Sequence, residues 1–183
     1  GFSKKQQGYG NFLYERLVAM TEQALSLNKN NRLVAFLWHQ GEHDAYENLG
    51  KSPTFIYEFY KEEFLKQTTA FLKRYPEFDI PVITGGFCKA WRNLPENIAA
   101  CEAVEKALVD AAQQLGKASF VPLLDLKSNM EVVPNSQDNI HFARDSILEI
   151  GKRYFARWEQ IVNIPPIRFQ KGQWIWAKNS PEI

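Results

Sequence analysis

Two short clusters hold most of the residues in this chain that are able to do chemistry. The first is Trp38-His39-Gln40-Gly41-Glu42-His43-Asp44, which gathers imidazoles, a carboxamide and carboxylates around one glycine. The second is Asp138-Asn139-Ile140-His141-Phe142, an acid ahead of a histidine by three positions. At that spacing a carboxylate can sit against one ring nitrogen and leave the other free as a general base. The plainer alternative has Asp138 capping the last helix with His141 packed beside it. For the first cluster the alternative is a polar strand-to-loop turn, with Gly41 there only to let the backbone turn sharply; the same glycine would also let a ligand approach closely.

Both clusters need a scaffold that ends at them. Leu33 to Trp38 is an unbroken apolar run, as expected of a strand buried on both faces. Ahead of it, Phe12, Leu13, Leu17, Val18, Met20, Ala24 and Leu25 recur at helical spacing. Asp44 to Lys51 reads as a loop, and Ser52-Pro53 as the cap and first turn of a long helix. The apolar stripe of that helix is Phe55, Ile56, Phe59, Phe64, Leu65, Phe71 and Leu72, and it stops before Pro76.

Ile80 to Thr84 reads as a second strand ending in Gly85-Gly86, followed by a loop that carries Trp91 and Arg92. Leu94-Pro95 opens a third helix, which Gly116 ends. Ser119 to Leu124 is a third strand, residues 125–139 a loop, and Ala143 to Val162 the final helix. Strands alternating with helices predict an α/β protein with a parallel sheet covered on both faces, whose ligand site lies beyond the carboxyl ends of the strands. Both chemical clusters fall there. The domain spans 1–163, and an aromatic tail at 164–183, with Phe169, Trp174 and Trp176, is expected to run back over it.

The block Trp38-His39-Gln40-Gly41-Glu42 with Asp44 resembles the W-x-Q-G-E-x-D block of the sialate O-acetylesterase-like branch of the SGNH hydrolases, which includes acetyl xylan esterases. Asp138 to Phe142 resembles the closing D-x-x-H-F block of that branch. The resemblance runs from about Tyr9 to about Ile161 and implies a three-layer α/β/α sandwich of flavodoxin-like type. It implies hydrolysis of acetyl esters on a carbohydrate through a serine, with His141 as base and Asp138 as its acid. Gln40 would donate to the oxyanion. Glu42 is the alternate acid or a structural carboxylate, while His39, Gly41, Trp91 and Arg92 would contact substrate. For Trp91 and Arg92 an equal reading is a packed indole with a solvated guanidinium.

The nucleophile is the departure from the pattern. The family places it in an early G-x-S block, and the chain begins at a later helix of that pattern. Gly1-Phe2-Ser3 has no apolar strand before it. Ser26, Ser52, Ser119, Ser128, Ser136 and Ser146 fit helix ends, strand starts or loops. The expectation is therefore that a missing amino-terminal segment, or a second chain, supplies the serine. The reading from another class is a catalytically silent protein that keeps the pocket and binds a glycan or a protein partner.

Composition excludes several other classes. With 45% hydrophobic and 23% charged residues over 183 positions, the chain suits one globular domain. A net charge of +1 offers no basic surface for nucleic acid or an anionic membrane. No apolar run approaches bilayer-spanning length. Cys88 and Cys101 form neither a disulfide framework nor a metal pattern, and buried thiols are expected. His39 and His43 are four apart, but on a turn, without the helix that gives such pairs their metal-binding geometry. No metal or other cofactor is expected. The compartment is left open.

Overall fold

The computed structural model describes residues 10–163; Ser3 and the expected tail at 164–183 lie outside them. In chain order the elements are α1 (Gly10–Ser26), β1 (Phe36–Trp38), α2 (Glu42–Glu47), α3 (Pro53–Arg74), β2 (Val82–Gly85), α4 (Lys89–Arg92), α5 (Ile98–Leu115), β3 (Ala118–Val121), α6 (Asn129–Val132) and α7 (Arg144–Asn163), with a 3-10 turn at Pro76–Phe78. The strands form a parallel sheet in the order β1-β2-β3. Phe36 lies opposite Val82 and Trp38 opposite Thr84; Thr84 in turn faces Phe120.

Because side chains alternate across a strand, two cores result. Phe36 and Val82 point to the face covered by α1, α3 and α5, where they meet Phe64, Phe71, Val104 and Leu108. Ile83 and Val121 point to the other face, where α7 brings Tyr154, Trp158 and Ile161. The result is the expected helix–sheet–helix sandwich. Both cysteines are buried free thiols, as expected. No helix among the described residues is long and apolar enough to cross a membrane.

Helix α3 shows how local sequence sets an element. Ser52 accepts the Phe55 N–H at 3.2 Å, Pro53 occupies the first turn, and the chain breaks at Pro76. Its buried side chains are Ile56, Tyr60, Phe64, Thr68 and Phe71, whereas Phe55, expected in the apolar stripe, is exposed. Two polar residues thus lie inside the helix's buried face, and one of them shapes the site.

Several expected boundaries are corrected. The first strand starts at Phe36 rather than Leu33, because its neighbour contributes no ladder before Pro81, whose carbonyl accepts the Phe36 N–H. Nor is the strand buried on both faces: Leu37 is 57% and Val34 59% exposed. Among the described residues β1 lies at the edge of the sheet, and α7 packs over β2 and β3. The first half of the Asp44–Lys51 loop is helix, since α2 begins directly after Gly41 and ends at Glu47. The third helix begins at Ile98 instead of Leu94, with Leu94 to Asn97 as a turn that feeds it.

Candidate functional site

All three strands end on the same side, and the polar clusters follow two of them. The loop after β3 carries the Asp138–His141 pair. Asp138 faces Nδ1 of His141 at 3.0 Å through Oδ1 and 3.1 Å through Oδ2. Its Oδ1 also accepts the backbone N–H of His141 at 3.0 Å, and Oδ2 accepts Nδ2–H of Asn129 at 2.9 Å. These donors hold the Asp138 carboxyl below the usual carboxylate range, with Asn129 the largest influence and the His141 amide next. An ionised acid against Nδ1 keeps the proton on that nitrogen and leaves Nε2 as the base. The His141 side chain is 75% exposed, so that nitrogen can be reached.

Backbone pairing fixes this loop. Ser128 and Phe142 form an antiparallel bridge, and the amides of Asn129 and Met130 donate to the carbonyls of His141 and Asp138. Ser128 and Glu131 close a capping box on α6, which seats Asn129 where it can reach Asp138. From α7, Arg153 grips both carboxylate oxygens of Asp125 at 2.7 and 2.6 Å.

At the end of β1 the chain turns through Gly41, whose φ of 152° belongs to glycine. A Cβ there would lie 2.7 Å from Cζ of Phe87 and 2.8 Å from Cγ1 of Val104. This tight turn starts α2 and aims the residues on either side of it. Gln40 donates from Nε2 to Oδ2 of buried Asp44 at 2.8 Å, which sets the orientation of its amide. The Gln40 backbone carbonyl accepts the Tyr60 hydroxyl at 2.6 Å, and that hydroxyl accepts Nε1–H of Trp38 at 3.0 Å. One N–H of Gln40 is therefore spent on orientation, and an amide carries two.

His39 lies between the clusters. Its Nδ1 is 2.9 Å from the Tyr154 hydroxyl, its Nε2 is 3.9 Å from Oε1 of Glu42, and its ring meets Phe142 edge-on at 5.7 Å. His43 instead faces Glu47 at 3.5 Å. Trp91 is buried, edge-on to Phe87 at 5.8 Å, and Arg92 donates to Glu105 at 2.8 Å and to Glu102 at 3.4 Å. Glu105 also accepts the Phe87 N–H. Both side chains are thus engaged with the loop after β2 and with α5.

Burial lowers His39 from the ordinary imidazole value of 6.5, against the opposing pull of Glu42. Once unfolded, the ring gains a proton as pH falls below 6.5, whereas the folded ring resists it until its lower value is reached. Stability linked to this group is complete above the unfolded value and declines as pH falls through the window beneath it. Urea midpoints at pH 7 and pH 5 should therefore differ more in the native chain than in His39→Gln; an equal difference would remove His39 from the linkage.

Sequence reasoning missed Tyr60, Asn129 and Tyr154. For the tyrosines a signal existed: a phenol on an apolar helix stripe must place its hydroxyl somewhere. Asn129 carried none, since its position follows from the pairing of the loop.

A family model described as carbohydrate esterase, sialic acid-specific acetylesterase, matches residues 2–160. The crystal structure of a protein from Arabidopsis thaliana superposes with a TM-score of 0.60 at 19% identity, covering 81% of this chain and 52% of that one. The chain thus spans about half the length of that structure, and at such identity the likeness concerns the fold. No curated protein matches the chain.

Proposed function

The chain belongs to the sialic acid-specific acetylesterase family of carbohydrate esterases, and from that premise we propose that it carries the acid–base and oxyanion groups of a carbohydrate O-acetylesterase. The observation that supports this most is the Asp138–His141 pair, with its acid held ionised and its Nε2 in reach of solvent. His141 takes the proton of a serine hydroxyl as the serine attacks the acetyl carbonyl, gives it to the departing sugar oxygen, and then activates water to release acetate. Asp138 orients the ring and stabilises its charged form. Gln40, aimed by Asp44, directs its second N–H at the developing oxyanion.

The serine comes from outside the described residues, either from an amino-terminal segment or from a second chain. Five of the six described serines are engaged elsewhere: Ser26 donates to the Gln23 carbonyl, Ser52 caps α3, Ser128 bonds Glu131, Ser136 accepts the Asp138 amide, and Ser146 accepts the Lys127 amide; the sixth, Ser119, lies within β3. His39 and Glu42 line the sugar side of the site and Gly41 gives the backbone its close approach, while Trp91 and Arg92 brace the floor behind them. Residues 1–163 act as the catalytic domain with 164–183 as its tail.

Fluorophosphonate labelling with mass-spectrometric mapping tests this reading, on the chain alone and on any longer product of its gene. One labelled serine, with release of acetate from an acetylated sugar, is the expected result. A folded protein without label or turnover in either form would overturn it in favour of a silent glycan- or protein-binding protein. In the active form, Gln40→Ala should lower kcat by about 100- to 1000-fold with little change in KM, the usual cost of one oxyanion donor. An unchanged kcat would remove Gln40 from that role.

A further inference from the structure

We propose that Tyr154 is a positioning residue whose hydroxyl donates to Nδ1 of His39 and so fixes the proton of that imidazole on Nε2, facing Glu42. The bond length of 2.9 Å does not by itself tell donor from acceptor. The surroundings do. Tyr154 is buried, and burial pushes its phenol well above the ordinary value, so it keeps its proton. Among the described residues the hydroxyl has no hydrogen-bond partner besides His39. Were Nδ1 the donor, the phenolic proton would be left unpaired in the core, and unpaired buried donors are strongly disfavoured. On the opposite side of the ring, Nε2 stands 3.9 Å from the Glu42 carboxylate, which favours a proton on that nitrogen.

The sheet itself makes room for this hydroxyl. A Cβ at Gly85, the last residue of β2, would collide with the Tyr154 hydroxyl oxygen, so any larger residue would displace it. Helix α7, strand β2 and the end of β1 thus converge on one proton position. The consequence is an N–H donor beside a carboxylate acceptor at the mouth of the site. A sugar hydroxyl placed between them can accept from His39 and donate to Glu42 at once. That last step rests on the carbohydrate esterase reading; the proton position does not.

The test is nitrogen-15 NMR of the labelled full chain, whose three histidines are assigned through His43→Gln and His141→Gln. Above pH 7, His39 is expected to show Nε2 protonated and Nδ1 bare. Tyr154→Phe keeps the ring and removes the hydroxyl; it should lower the ratio of the two tautomers on the order of tenfold and raise the pH at which His39 takes its second proton. The titratable groups in contact with the ring are the Tyr154 phenol and the Glu42 carboxylate, and Glu42 is unchanged in this variant. Gly85→Ala, which displaces the hydroxyl but keeps the phenol, should move the ratio in the same direction. A native chain with the proton on Nδ1 overturns the proposal, as does an unchanged ratio in either variant with a native amide fingerprint. Because the readout needs neither serine nor substrate, it can fail while the esterase reading stands, or hold while that reading falls.

Discussion

Asp138→Asn is expected to lower kcat for acetyl ester hydrolysis by about 10,000-fold in the active form of the protein, nearly as much as His141→Ala. The reason lies in the donors around the carboxylate. Asp138 accepts from Asn129, from the His141 amide and from Nδ1 of His141. An asparagine has one accepting oxygen, and the two main-chain and amide donors compete for it. Its NH2 then faces the ring, makes Nδ1 the acceptor, and drives the imidazole proton onto Nε2, where the base is needed. Glu42→Gln supplies the contrast. Its carboxylate faces His39 at 3.9 Å, so its loss should cost about tenfold or less. Steady-state kinetics on the two variants decide between the carboxylates. A larger loss in Glu42→Gln would make Glu42 the acid and reduce Asp138 to a loop anchor.

The contact between Asp138 and His141 was legible because its geometry is local. Three residues of separation, an Asp138 carboxylate and one loop suffice, and the structure sets them as the spacing suggests. The parallel sheet was legible from the alternation of apolar runs with helical stripes. Strand limits were not, because a ladder ends where its neighbour ends: Leu33 to Ala35 are apolar enough for a strand but have no pairing residues beside them before Pro81. Leu37 is exposed because, among the described residues, no strand flanks β1 on its outer side, and no local pattern encodes a strand's place in a sheet. Helix α2 was missed because Glu42–Glu47 is a single short stretch without apolar periodicity, nucleated by the turn at Gly41. Tyr154 reaches His39 across 115 positions of sequence, so only the fold could bring them together.

Gly41→Ala is expected to destabilise the chain by about 3–5 kcal/mol, enough to unfold much of a protein whose total stability is of ordinary size. Two costs add. At φ 152° an alanine is strained whatever its surroundings. The new methyl would also press into Phe87 and Val104, at 2.7 and 2.8 Å, and both belong to the packed core under β1. Neither neighbour is the loose end of a flexible side chain, so relief requires the turn itself to move. That movement would carry Gln40 and Glu42 with it, since they flank the glycine. Gly50→Ala separates the two costs. Gly50 also has positive φ, at 87°, but nothing lies within 4 Å of its would-be Cβ. It should lose only about 1 kcal/mol, the backbone share alone. In urea the Gly41→Ala midpoint should fall by about 2 M and that of Gly50→Ala by about 0.5 M. Equal shifts would mean that backbone strain, not close packing, makes Gly41 necessary, and the site could then accept any residue able to hold the turn.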